Sequence, residues 1–292
     1  MEQPLVSVIT ITRNRGNLLG RCIKSVLNQT YKNIEYIIVD GASDDNTDEV
    51  VASFKDERLH YVKLETNWPI KETLDHGISL CDGKYITFLD SDDEYLPEKI
   101  EKQVTLIESL SDEYGLVYCW MTYFDNQTKQ VLSIHKPELR GDVRDEVIGE
   151  PVISGTPTLM FRSELLRKLD GWKSPDEIGI ISDWELCARA CQITKVDYVP
   201  ESLVNVYENH GSIRQSDKAY YEKFAKSTFK FSKYFLSHFE ENFKRRPDQM
   251  FYHYWIFFTC SLRMHRYYDA FKWFVRASLK NPKALAKKLF RI

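Results

Sequence analysis

Residues Val6-Ser7-Val8-Ile9-Thr10-Ile11-Thr12 carry β-branched side chains at nearly every position. A run without polar alternation predicts a strand of a sheet covered on both faces. Arg13-Asn14-Arg15-Gly16 breaks it, and Leu18, Leu19, Cys22, Ile23, Val26 and Leu27 then recur at helical spacing through about Asn28. Ile34–Val39 predicts a second strand ending on Asp40, and Asn46 or Thr47 can cap a helix carrying Val50, Val51 and Phe54. Leu59–Lys63 and Tyr85–Leu89 predict a third and a fourth strand, the latter ending on Asp90. The alternation of strands and helices predicts an α/β fold, a Rossmann-like, mostly parallel central sheet with helices on both faces.

Beyond Asp93, Pro97–Leu110 predicts a helix opened by proline, and Gly115–Met121 a strand. Asp125-Asn126 predicts a turn before Gln130–Ile134. Leu159-Met160-Phe161 precedes a helix over Ser163–Leu169, and Asp183 opens a helix with Trp184, Leu186, Cys187, Ala190 and Cys191. From about Ser216 the pattern becomes aromatic, basic and helical with no strand signal. The expected organisation is therefore an α/β domain over 1–215 and a helical extension over 216–292.

Composition narrows the class. With 43% hydrophobic and 28% charged residues, the 292-residue chain is neither disordered nor collagen-like nor a coiled coil. The formal net charge of −3 carries no nucleic-acid signature, but it is unevenly spread. Residues 240–292 hold 12 Lys/Arg against 4 Asp/Glu, a local charge of +8. Six cysteines without C-x-x-C spacing suggest neither a zinc knuckle nor a disulfide framework, so a reducing compartment is expected. No signal-peptide pattern opens the chain, and its most apolar stretch, Trp255–Leu262, is far short of a bilayer span of about 20 residues.

In sheets of this kind ligands bind beyond the carboxyl ends of the strands. That rule selects Thr12-Arg13-Asn14, Asp40-Gly41-Ala42-Ser43-Asp44-Asp45 and Asp90-Ser91-Asp92-Asp93. Asp90-x-Asp92 would present two carboxylates on one side of an extended backbone, a donor set for Mg²⁺ or Mn²⁺ on a diphosphate. Asp40 can accept hydrogen bonds from a base or ribose, while Asp44, Asp45 and Asn46 suit a helix N-terminus. Lys84 and Lys99 are expected to be solvated charge rather than phosphate clamps.

Four ordered blocks then carry a resemblance: Pro4-x-Val6-Ser7-Val8-Ile9-Thr10, Ser25-Val26-Leu27-Asn28-Gln29-Thr30, Ile38-Val39-Asp40-Gly41-Ala42-Ser43-Asp44-Asp45-Asn46-Thr47, and Gly83-Lys84-Tyr85-Ile86-Thr87-Phe88-Leu89-Asp90-Ser91-Asp92-Asp93. Together they resemble family 2 glycosyltransferases of the GT-A fold, of bacterial surface-polysaccharide type, over about residues 4–215. The resemblance implies inverting transfer of a sugar from a nucleotide-sugar, usually UDP-linked, to an acceptor hydroxyl, with a divalent cation, Mn²⁺ or Mg²⁺, as cofactor. Thr10, Thr12, Arg13 and Asp40 would then line the nucleoside pocket. Asp90 and Ser91 would complete the nucleotide-sugar site, and Asp92 would contact the metal.

Ile181-Ser182-Asp183-Trp184-Glu185-Leu186 resembles the block whose aspartate is the catalytic base, with Ser182 in place of the usual first acid. An acceptor hydroxyl must lose its proton as it attacks, so the resemblance assigns Asp183 as base. His210, in Asn209-His210-Gly211-Ser212, would touch metal or phosphate. Trp68–Ile78 lacks the arginine that many relatives carry, having Leu74 at that place, and instead offers Lys71, Glu72 and Asp75. Gly155-Thr156-Pro157-Thr158 and Gly171-Trp172 match family loops near sugar or acceptor. The acceptor implied is a glycan or lipid-linked saccharide of a surface polysaccharide or lipopolysaccharide.

Two other classes compete. A non-catalytic nucleotide- or glycan-binding protein could keep the fold, but Asp92 and Asp183 are both present. A nucleotidyltransferase would need a Gly- and Lys-rich triphosphate loop, and Thr12-Arg13-Asn14-Arg15-Gly16 is a poor one. At the C-terminus, Phe271, Phe274, Val275 and Ser278 share one helical face, with Lys272, Arg276 and Lys280 elsewhere. Such a basic amphipathic end can lie on an anionic membrane or pack on the catalytic domain, and both alternatives stand. A cytoplasmic location, peripheral on the inner face of the membrane, is the expectation.

Overall fold

The computed structural model describes residues 3–153, 155–172, 182–208 and 218–290. It divides the chain into two compact units. One comprises Met1–Asp142, Ile153–Lys173 and Ile193–His210; the other comprises Val143–Val152, Ser174–Gln192 and Gly211–Ile292.

The first unit holds β1 (Val6–Thr12), α1 (Gly16–Leu27), β2 (Ile34–Asp40), α2 (Thr47–Ala52), β3 (Leu59–Lys63), α3 (Ile70–Ser79), β4 (Tyr85–Phe88), β5 (Glu94–Tyr95), α4 (Lys99–Ser109), β6 (Tyr114–Asp125), β7 (Val131–His135), β8 (Met160–Arg162), α5 (Ser163–Lys168) and β9 (Lys195–Glu208). Among the described residues the sheet has nine strands in the order β3-β2-β1-β4-β8-β6-β9-β5, with β7 pairing β6. The β3-β2-β1-β4 half is parallel, as the unbroken apolar strands predict, and β6 also runs parallel to β9. Short antiparallel ladders attach β8, β7 and β5.

Both faces of the parallel half are covered. On one side Val8, Tyr36, Ile38, Tyr85 and Leu89 pack with Leu19, Cys22, Ile23 and Val26 of α1 and with Ile100, Val104 and Ile107 of α4. On the other, α3 comes so near that a Cβ on Gly77 would stand 2.8 Å from Ile9 Cγ2. Gln29, part of a motif block, is buried and donates to the carbonyls of Ser25 and Leu96 while accepting from Ile100 N–H. It thereby staples the end of α1 to the start of α4. All six cysteines are buried and free, as their irregular spacing suggests.

Two features depart from the sequence pattern. The 14-residue β9 falls where no strand is expected. Pro200 and Glu201 interrupt its period, and its ladder with β6 shifts register there, so the run reads as loop until β6 supplies the partner edge. Lys99 is not solvated charge. It is wholly buried, donates to Thr87 Oγ1 at 2.5 Å and lies 4.0 Å from the centroid of the Tyr95 ring. Burial pulls its ammonium down to about 7, because the charged form loses its water. Lys84, by contrast, is exposed and pairs with Glu108.

The second unit is helical: α6 (Ser182–Cys191), α7 (Lys218–His238), α8 (Glu240–Arg245), α9 (Met250–Arg263), α10 (Tyr267–Lys280) and α11 (Pro282–Phe290). Its core is aromatic. The buried Trp184 indole packs on Phe231, Phe235 and Tyr252 and stacks on His253 at 5.4 Å. Trp184 Nε1 donates to Val147 O, and His253 Nε2 pairs with Ile148 O at 2.7 Å. Burial lowers the His253 imidazole to about 4, so it is neutral at physiological pH and Nε2 carries the donated proton. No described helix is long and apolar enough to cross a membrane.

Candidate active site

The carboxyl ends of β1, β2 and β4 are tied into one cluster of loops. Gly41 N–H donates to Thr12 O at 2.9 Å, and Asn14 N–H donates to Ser43 Oγ at 2.8 Å. Asn14 Oδ1 accepts from Asp44 N–H at 2.9 Å, which its left-handed backbone, φ 52°, permits. Asp45 is structural, as expected. It takes Thr47 N–H and Oγ1 on one oxygen and Gly16 N–H, at the start of α1, on the other. Burial opposes its ionisation, but these hydrogen bonds outweigh it and lower the carboxyl below its usual range.

Asp40 and Thr10, expected at the nucleoside, are fully buried and committed within the protein. Asp40 Oδ1 accepts from Ser43 N–H and Oγ, and Oδ2 accepts from Tyr61 at 2.6 Å. Burial and the neighbouring Asp40 and Asp48 carboxylates push the Tyr61 phenol far above its usual range, so it remains a donor. Thr10 donates to Leu89 O at 2.8 Å and accepts from Tyr36. Both residues therefore shape the strand ends. Thr12 differs: its hydroxyl is buried and finds no partner among the described residues. Arg13, next to it, is exposed.

After β4 the chain does not remain extended. Asp93 N–H donates to Asp90 O at 3.0 Å, turning the backbone over Asp90-Ser91-Asp92-Asp93. The i, i+2 argument for Asp90 and Asp92 on one face of a strand is thus replaced by a turn. It leaves Asp90 exposed, Asp92 half-buried, and Ser91 and Asp93 buried. Desolvation first, then the nearby Asp90 and Asp92 carboxylates, raise the Asp93 carboxyl well above its usual range. Asp93 Oδ1 accepts Tyr207 N–H from β9 at 3.1 Å.

Two arginines that the motif blocks did not single out complete the cluster. Arg15 Nη1 lies 2.5 Å from Asp92 Oδ2, and Arg21 Nη2 donates to Asp92 O. The Arg21 guanidinium also sits 3.6 Å over the Tyr207 ring. Arg15 is the N-cap residue of α1, where a cation opposes the helix dipole, and the Asp92 carboxylate offsets that cost.

The donor set fits a hard divalent cation. Asp90 and Asp92 place two carboxylates on one turn, Asp90 exposed and Asp92 half-buried, the hard oxygen donors such a cation takes. Among the described residues no three His, Cys, Asp or Glu side chains already converge as a metal cluster. Within the first unit, Asp75 Oδ1 accepts Trp172 N–H at 2.7 Å, and the buried Trp172 ring meets Phe88 edge-on. Gly171 has φ 66°, and a Cβ there would stand 2.2 Å from Asp75 Oδ1, so glycine is required.

Asp183 is at the start of α6, in the second unit, half-buried, its Oδ1 accepting Trp184 N–H at 2.8 Å. His210 lies outside the described residues.

The model of the glycosyl transferase family 2 domain matches residues 7–170. The chain belongs to this family. A glycosyltransferase of Rickettsia prowazekii is 36% identical over 206 residues, covering 69% of this chain and 63% of that protein. The chain thus spans less than two thirds of that relative's length. A putative teichuronic acid biosynthesis glycosyltransferase of Bacillus subtilis, TuaG, is 38% identical over 139 residues, 47% of this chain and 54% of its own. Among solved structures, S. aureus TarS 1-349 in complex with UDP-GlcNAc superposes with a TM-score of 0.63 at 16% identity, covering 94% of this family 2 chain and 91% of that fragment. That likeness establishes the GT-A fold.

Proposed function

We propose that this protein is an inverting glycosyltransferase that moves a sugar from a nucleotide-sugar, a UDP-sugar foremost, to a hydroxyl of a glycan or lipid-linked saccharide in surface polysaccharide synthesis. The observation that carries this reading is the joining of the β1 and β4 strand-end loops through Arg15 and Asp92 in a chain of this family. Teichuronic acid in the name of one relative and UDP-GlcNAc in the TarS structure support the polysaccharide setting and the donor class.

In this proposal Thr12 and Arg13 meet the nucleoside, and Thr10 and Asp40 fix the loops that frame it. Asp90, Ser91 and Asp92 face the donor diphosphate. Asp90 and Asp92, with His210, would hold Mn²⁺ or Mg²⁺, which neutralises charge on the leaving nucleoside diphosphate. Asp183 accepts the proton of the acceptor hydroxyl as its oxygen forms the new bond to the anomeric carbon. The bond from that carbon to the diphosphate oxygen breaks, and its electron pair leaves with the nucleotide. Attack from the opposite face inverts the anomeric configuration.

A thermal-shift panel of UDP, GDP, CDP and dTDP, each with and without Mn²⁺, tests the reading. Ligand at about 100 times its dissociation constant adds roughly 2.7 kcal/mol, a midpoint rise of a few degrees. A metal-dependent rise with UDP is expected. The same rise with another nucleotide would move the donor class, and no rise with any of them would favour a non-catalytic glycan-binding protein that retains the fold.

A further inference from the structure

Helix α10 buries Ala270 and Ala277 and packs Trp273 and Phe274 on α9, with ring centroids 4.7 Å from Phe257 and 5.3 Å from Phe258 respectively. At roughly 100° per residue, Tyr268, Phe271, Val275 and Leu279 fall on the opposite side of the cylinder as one continuous stripe. Their exposures are 83%, 67%, 39% and 78%. Single exposed apolar residues are ordinary, but a stripe along three turns of one helix marks an interaction surface. The structure therefore divides the face read from the sequence: Phe274 packs inward, while Phe271 and Val275 point out with Tyr268 and Leu279.

Charge selects the partner. Lys272 and Arg276, both exposed, border the stripe, and α11 adds exposed Lys283, Lys287 and Lys288. We propose that this face docks on an anionic lipid bilayer, with the stripe entering the headgroup region and the basic residues meeting lipid phosphates. Aromatic rings with a polar edge suit that depth, and basic residues flanking an apolar stripe are what a helix lying in the interface plane requires. A second copy suits the face less well, since two-fold pairing would bring two segments of +8 together. The surface rests on the helices alone and stands or falls independently of the sugar-transfer reading.

Co-sedimentation of the full chain with vesicles tests it. Binding is expected to equimolar phosphatidylcholine and phosphatidylglycerol, not to phosphatidylcholine alone, and to weaken as added salt screens the basic residues. Lys272→Ala with Arg276→Ala should lower the partition coefficient by about 30-fold, from roughly fivefold per basic residue. Phe271→Ser with Leu279→Ser should lower it by about tenfold or more. All four positions are exposed, with the Lys272 and Arg276 cations also 5.8 and 4.8 Å from the centroid of the Trp273 ring, so a single cooperative melting transition, at most slightly lowered, will show that each variant is folded. Absence of binding, equal binding to both vesicle types, or wild-type binding by either double variant would overturn the proposal. So would a concentration-dependent dimer that Phe271→Ser dissolves, which would assign the face to a second copy.

Discussion

The guanidinium of Arg15, at the N-terminal end of α1, stands 2.5 Å from Asp92 Oδ2, on the turn after β4. The pair joins the loop that follows the first strand to the carboxylate turn, 77 residues further along the chain. A cation arriving at Asp92 must compete with Arg15 for that oxygen. The pair is partly exposed, so its worth is at most about 1 kcal/mol. Arg15→Gln should therefore tighten Mn²⁺ binding in the absence of nucleotide by up to about fivefold, read by isothermal titration calorimetry. An unchanged or weaker affinity would show that Arg15 does not hold Asp92 against the metal.

Thr12 Oγ1 is buried at the end of β1 without a partner among the described residues. Thr12→Val keeps the shape and removes the hydroxyl, so stability should hold or rise by less than about 1 kcal/mol. If that hydroxyl serves the donor, the nucleotide dissociation constant should rise about fivefold or more. Equal affinity in wild type and variant would leave Thr12 a packing residue.

Asp183→Asn keeps the size of the side chain and removes the carboxylate proposed as the base. Nucleotide binding in the thermal-shift panel should be unaffected, while transfer to acceptor should fall by about 10²–10⁴-fold, the usual contribution of general base catalysis. Parallel loss of binding and transfer would sink this assignment of roles.

Lys99 provides a stability prediction with a definite sign. Its folded value of about 7 lies below the ordinary lysine value of 10.5. Between those two pH values the unfolded chain binds the extra proton, so stability rises with pH across that window. The cost of burying the ammonium is fully present below about pH 7 and fades towards pH 10. Lys99→Met should raise the melting temperature at pH 6 to 7, by roughly 1–4 kcal/mol in stability, and flatten the pH dependence above it. A variant that keeps the wild-type slope would place the titration elsewhere.

Gly171→Ala tests the turn that carries Trp172. The residue has φ 66°, and the new methyl would collide with Asp75 Oδ1, itself the acceptor for Trp172 N–H. The strain and the displaced hydrogen bond should cost about 2 kcal/mol or more, seen as a midpoint several degrees lower. A melting curve like that of the wild type would mean that the turn relaxes freely.

The α/β class, the order of the first strands and the selection of the strand-end loops were legible because buried parallel strands are apolar at nearly every position. β9 was not legible. Its half-polar run, broken at Pro200, becomes a strand only beside the β6 edge, since a strand's hydrogen bonds lie with a distant segment. Lys99 misled for the same reason: a helix position announces its period but not the depth of the groove it faces.

The sequence by itself determined the family, the carboxylates at Asp40, Asp90 and Asp92, and the basic character of the C-terminal helices. Local composition, spacing and charge are properties of the chain in any conformation. Tertiary structure alone decided that Thr10 and Asp40 turn inward, that Arg15 reaches Asp92, and which side of α10 faces solvent. Each of these is set by contacts between segments far apart in sequence, where burial, hydrogen-bond satisfaction and charge pairing are resolved together.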